Sequence, residues 1–265
     1  MNSSAGEREH HHPVTHTLDR RGNVTVRLLG GFELLIDGKP VHIVERCQKV
    51  IAYLALAVGP QDRTVLAAQL WPDSNGARAS ANLRAARWRE PNGGSQVTMI
   101  NGARLQICDD VKIDVRELEM AGWSLLAGAA PAADFDRSFL FLDLLPGWYD
   151  DWVIVERERL SQLKLRFAEA HACHLLRLGW ITQAMDVALR LVAADPLREA
   201  SHRLLAATYL LDGSSHEATV RIERYRRLLL EELGTRSTLS LSLVLEWMIG
   251  NGLGRAAKDS VVASR

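Results

Sequence analysis

Cysteine is scarce in this chain: Cys47, Cys108 and Cys173 are the only three among 265 residues, and no two form a Cys-x-x-Cys pair. An odd, scattered set excludes a disulfide framework and a thiolate zinc site, so three free thiols are expected. No apolar run approaches the roughly twenty residues that a membrane-spanning helix needs. No secretory signal is apparent at the start either, and the expectation is a soluble, cytoplasmic protein with no membrane partner. Catalytic motifs are missing too: there is no Gly-x-Ser-x-Gly, no His-Glu-x-x-His, no P-loop and no metal-spaced Cys/His set. Gly252-Leu-Gly254 follows no strand and lacks a third glycine, so it is no dinucleotide site. Neither an enzyme nor a cofactor is expected. His10, His11, His12 and His16 lie in a polar stretch with no cysteine or carboxylate to complete a metal site, and residues 1–22 are expected to be a flexible arm.

Net charge is zero, so the whole chain announces no polyanionic partner. Its distribution says more. Residues 1–113 hold 14 Lys and Arg against 11 Asp and Glu, and the remainder holds 18 against 21, a basic head on an acidic body.

The head begins with short β-prone runs, Val24 to Leu29 and Phe32 to Ile36, then Asp37-Gly38 as a hairpin signal and Pro40 to Ile43 as a returning edge strand. From Arg46 to Val58 the period becomes helical, and Gly59-Pro60 stops it. Asp62 caps a second short helix from Arg63 to Trp71. After the Ser74-Asn75-Gly76 turn comes a third helix, Gly76 to Glu90, carrying Arg78, Arg84, Arg87 and Arg89 against the single acid Glu90. Pro91 closes it. Val97 to Ile100 and Arg104 to Cys108 then form a hairpin around Asn101-Gly102. Sheet, three helices and hairpin, in that order, describe a winged helix-turn-helix whose third helix enters the major groove of DNA.

Beyond Lys112 the pattern is helical throughout, with a helix at about 114–127, a long one that the segment Asp143 to Trp152 leads into and that runs to about 178, and others at 182–194, 197–211, 215–233 and 237–249. Gly179 and Gly213, Ala184 and Ala218, and Leu176 and Leu210 recur at the tetratricopeptide offset of 34. A generic helical bundle is the alternative. The expected fold is mainly α: an N-terminal winged helix at 23–111, a tetratricopeptide-like all-α domain at 112–250, and a flexible tail at 251–265.

The chain resembles the Streptomyces antibiotic regulatory protein family. The matching pieces are Arg27-Leu-Leu-Gly30 with Asp37-Gly38, Gln48-Lys49, Leu70-Trp71 and Ala79-Ser-Ala-Asn-Leu-Arg84 in the head. In the body they are Trp152, Glu156-Arg-Glu-Arg159, Asp195-Pro-Leu-Arg-Glu199, Tyr225-Arg-Arg-Leu and Glu232-Leu-Gly234. The resemblance implies an OmpR/PhoB-type DNA-binding domain joined to a bacterial transcriptional activation domain. It further implies an activator that binds direct repeats in promoter DNA, two protomers to a site, recruits RNA polymerase through its sigma factor, and commonly controls a biosynthetic gene cluster. The chain departs from the pattern where Arg87 and Glu90 replace apolar residues on the third helix.

On a helical wheel Arg84 and Trp88 share a face opposite Leu83 and Arg87, with Arg78, Ser80, Asn82 and Arg89 flanking it. Arg84 suits bidentate contact with guanine, and Asn82 with adenine. Trp88 either packs on the DNA sugar or the wing, or caps the domain core. Arg87 falls toward the core side, so either its stem snorkels to a phosphate or the helix is rotated or shortened there. Arg46, Lys49, Thr64 and Arg104 are phosphate candidates. Trp148, Tyr149 and Trp152 line a partner groove or, the favoured expectation, pack on the first repeat. A tetratricopeptide adaptor whose winged helix serves only protein contact is the competing reading of the whole chain.

Overall fold

The computed structural model describes residues 23–94 and 96–253; the arm at 1–22 and the tail from 254 lie outside the described residues. The head opens on β1 (Val24–Arg27), β2 (Glu33–Ile36) and β3 (Lys39–Pro40). Ile36 faces Lys39 across a two-residue loop in which Asp37 and Gly38 both take positive φ, 51° and 74°. That geometry matches the natural strand twist, and the Asp-Gly pair tolerates it.

Three helices follow: α1 (Glu45–Leu56), α2 (Arg63–Leu70) and α3 (Gly76–Trp88). A two-residue strand, β4 (Gln61–Asp62), precedes α2 and pairs with β6 of the wing, which is built from β5 (Thr98–Asn101) and β6 (Arg104–Ile107). The wing is therefore three-stranded. Asn101 faces Arg104, so its loop is Gly102-Ala103, one residue later than the Asn-Gly turn expected from sequence.

The first sheet is not purely antiparallel. After the wing, β7 (Lys112–Ile113) returns and pairs parallel with β1, giving the order β3-β2-β1-β7. Next comes α4 (Asp114–Leu126), whose first residue turns a buried carboxylate back onto the sheet: Asp114 Oδ2 accepts from the Leu28 and Leu29 amides, both at 2.8 Å. The expected boundary at 111/112 thus runs through a hydrogen-bonded sheet.

The body comprises α5 (Asp151–Arg177), α6 (Ile181–Ala194), α7 (Glu199–Leu211), α8 (Ser215–Leu233) and α9 (Leu241–Gly250). The last begins four residues later than the sequence suggests, because the Ser240 side chain, not Ser237, caps it. Gly179 and Gly213 end α5 and α7 at φ 77° and 80°, and Ala184 and Ala218 are fully buried where each following helix doubles back. These are the helix hairpins of a tetratricopeptide-like array. Gly122 lets α4 join it, since a Cβ there would sit 2.2 Å from the buried Phe167 ring of α5. The expected tail is not all peripheral: Leu253 is buried.

Head and body pack directly on each other. Phe32 stacks on Trp148, Trp148 meets Trp152 edge-on, and Trp152 meets Tyr53 edge-on with centroids 5.3 Å apart. Arg157 threads the loop before α5, donating to the carbonyls of Leu144, Leu145 and Trp148, and the Leu145 amide donates to the Leu28 carbonyl. The two tryptophans therefore cover the winged helix rather than the first repeat, which corrects the sequence expectation. Tyr149 stays exposed.

Candidate nucleic-acid interface

The third helix is seated by small residues. Ala79, Leu83 and Ala86 form its buried stripe, and the Cys47 thiol of α1 donates to the Ala86 carbonyl at 2.8 Å. Burial pushes that thiol up to about 11, so it stays protonated and serves as a fastening rather than a nucleophile. Asn75 caps the helix by accepting from the Arg78 amide, and Asp62 caps α2 by accepting from the Thr64 and Val65 amides. Those two donors hold the Asp62 carboxyl below its ordinary range. The Thr64 hydroxyl also bonds to that carboxylate, so both the amide and the side chain of Thr64 are engaged by Asp62 at this helix start.

Between α2, α3 and the wing lies a groove of about 450 Å³ lined by Arg63, Thr64, Ser80, Arg84, Arg87 and Trp88, with Ile100 on the wing side. Arg84 is exposed, and Trp88 is 81% exposed, which removes the core-capping alternative for the indole. Arg78 and Arg89 are exposed at the two ends of the helix, and Asn82 is half-buried beside the groove-facing turn. Arg104 projects from β6 opposite Asp62, whose charge it faces. Arg46 is exposed at the start of α1 but does not line the groove.

Lys49 needs correcting. Its Nζ lies 2.9 Å from Asp150 and 3.7 Å from Glu45, half-buried at the junction of head and body. Its charge is spent on the inter-domain contact, not held out to a phosphate.

Arg87 is half-buried and lines the groove while its charge pulls on Glu90. The helix is barely shortened: it runs to Trp88, with Arg89 as its cap and a 3-10 turn at Pro91–Gly94. Glu90 itself is 3% exposed, and the Thr98 hydroxyl donates to its Oε2 at 2.7 Å. Burial raises its carboxyl to about 7 against the lowering pull of Thr98 and Arg87. It ties the end of the third helix to the base of the wing.

Sequence reading also missed Arg63, whose amide and Nε both donate to the Ala103 carbonyl in the wing loop. Its place directly after the cap was visible. Its partner 40 residues away was not.

Residues 132–244 match the family model described as "bacterial transcriptional activator domain". No curated protein matches the chain by sequence. Among solved structures, Mycobacterium tuberculosis EmbR, determined in complex with a low-affinity phosphopeptide, is similar with a TM-score of 0.67 at 20% identity, over 91% of this chain and 69% of that one. No helix among the described residues is long and apolar enough to cross a membrane, and none of their His, Cys, Asp and Glu gather in a group that could hold a metal ion. A winged helix is thus followed by residues that match a bacterial transcriptional activator domain, the arrangement implied by the resemblance to the Streptomyces antibiotic regulatory protein family.

Proposed function

We propose that this chain is a transcriptional activator that binds double-stranded promoter DNA through α3 and the wing, two protomers on direct repeats, and recruits RNA polymerase through its sigma factor to a biosynthetic gene cluster. The observation that carries the reading is the groove in which Arg63, Thr64, Arg84, Arg87 and Trp88 converge between helix and wing. Arg84 supplies base readout, and the alanines at 77, 81 and 85 on the same exposed face allow close approach of the helix backbone. Trp88 packs on a deoxyribose, while Arg63, Arg78, Arg89 and Arg104 neutralise phosphates. The mechanism involves no bond making. Phosphate contacts provide affinity, a few base contacts provide specificity, and two protomers on adjacent repeats raise occupancy through effective concentration.

The test is anisotropy or gel retardation on DNA upstream of the neighbouring operon. Arg84→Ala should weaken the specific site by about 1–3 kcal/mol, roughly ten- to hundredfold, and relax sequence preference. Lys49→Ala should leave DNA affinity unchanged at a fixed salt concentration. Unaltered affinity and preference in Arg84→Ala would remove that residue from the interface. A tetratricopeptide adaptor with an unused winged helix would show no salt-dependent DNA retention at all.

A further inference from the structure

A second groove lies in the helical body. Helix α7 packs against both α5 and α9, and with the end of α4 these helices line a concavity of about 520 Å³. Four arginines line it, Arg166 and Arg177 from α5 with Arg198 and Arg203 at the start of α7, against the one acid Glu169. This gathering is not a local sample of a basic domain: residues 114–265 hold 21 acids against 18 Lys and Arg.

The acid is already committed. Arg198 grips Glu169 through two bonds of 2.8 and 3.1 Å and Arg203 lies 4.0 Å from Glu199, which leaves Arg166 and Arg177 as the surplus. Arg203 is held over the Trp247 ring at 5.4 Å, and Arg177 donates to the Asn251 carbonyl. Both guanidiniums are thereby oriented before any partner arrives. Leu126 and Trp247 line the groove beside the charges, so it presents both cationic and apolar surface.

We propose that this concave face docks an acidic segment of a partner protein, an extended stretch in which Asp or Glu alternates with apolar side chains. Arginine forks suit carboxylates, and the apolar surface beside them takes the residues between the acids. A sugar–phosphate backbone fits less well, because it would lay continuous charge across Leu126 and Trp247 and onto the Glu169 carboxylate. The proposal does not depend on DNA binding by the head, whose candidate residues lie on other elements.

The test uses the full chain and a fluorescein-labelled peptide that repeats Glu-Glu-Leu over twelve residues, read by anisotropy. Binding should weaken at least about tenfold in the double variant Arg166→Glu/Arg177→Glu, which alters two exposed side chains and should keep the native melting curve and DNA affinity. A second variant, Arg203→Gln, should weaken binding while retaining fold. A peptide with Gln for every Glu should not bind. Equal binding of that neutral peptide, no binding of the acidic one, or unchanged affinity in both variants would overturn the proposal. So would displacement of the acidic peptide by inorganic polyphosphate at lower concentration than by unlabelled peptide, which would make a phosphate polyanion the occupant.

Discussion

Asp114→Ala should cost the protein about 4 kcal/mol and lower its melting temperature by about 10 °C, more than any single change on the surface proposed to face DNA. The carboxylate accepts from the Leu28 and Leu29 amides and from the Val115 amide, all at 2.8 Å, inside a region where Leu28 is fully buried and Leu29 nearly so. Alanine leaves two buried backbone donors without an acceptor, and each such loss costs about 1–3 kcal/mol. Asn at 114 keeps one oxygen for the pair of amides and should lose less. Because β7 and Asp114 both follow residue 111, a fragment ending at 111 should melt below one ending at 126 by a similar margin. Thermal and urea melts of the full chain and of both fragments check this. Melting of Asp114→Ala within about 2 °C of the native chain would show that other groups or water satisfy those amides.

That connection explains why the division of the chain at 111/112 looked clean in sequence and is bonded across in structure. The change from alternating to helical periodicity is real at Asp114, but β7 is two residues long and carries no period to detect. The same holds for β4, which turns a hairpin wing into a three-stranded one. The helix pairs of the body were legible because Gly179, Ala184, Gly213 and Ala218 mark them locally, by backbone freedom and by small size at a close crossing. The exposed face of the third helix was legible for a similar reason, since a four-residue spacing places Arg84 and Trp88 together whatever the tertiary setting. What could not be read was long-range. Lys49 looks like a phosphate ligand until Asp150, 101 residues away, is placed beside it. Trp148 and Trp152 carry no mark of which neighbour they cover. Glu90 looked like a departure from an apolar pattern, and only the fold shows that Thr98 receives it.

Glu90→Gln should stabilise the protein at pH 8 by about 3 kcal/mol and leave it nearly unchanged at pH 4.5. The unfolded carboxyl titrates near its ordinary 4.5, while the folded one is raised to about 7 by burial beside Thr98. Below pH 4.5 both states hold the proton and no penalty exists. Between 4.5 and 7 the folded state keeps a proton that the unfolded state has released, so stability falls as pH rises; above about 7 the loss is complete. Glutamine still offers an oxygen to the Thr98 hydroxyl and carries no charge to desolvate, so its melting profile should lack this decline. Denaturant melts of both proteins from pH 4.5 to 8 measure the difference, and parallel curves would show that Glu90 is not the group responsible. The site gains a consequence from this position. Glu90 sits where α3 meets the wing, and its carboxylate attracts the guanidinium of Arg87, which lines the groove. On the proposed DNA-binding reading, removing the charge raises the positive potential at Arg87, and the variant should bind nonspecific duplex more tightly at pH 8, with a steeper salt dependence, while the base preference proposed for Arg84 is retained.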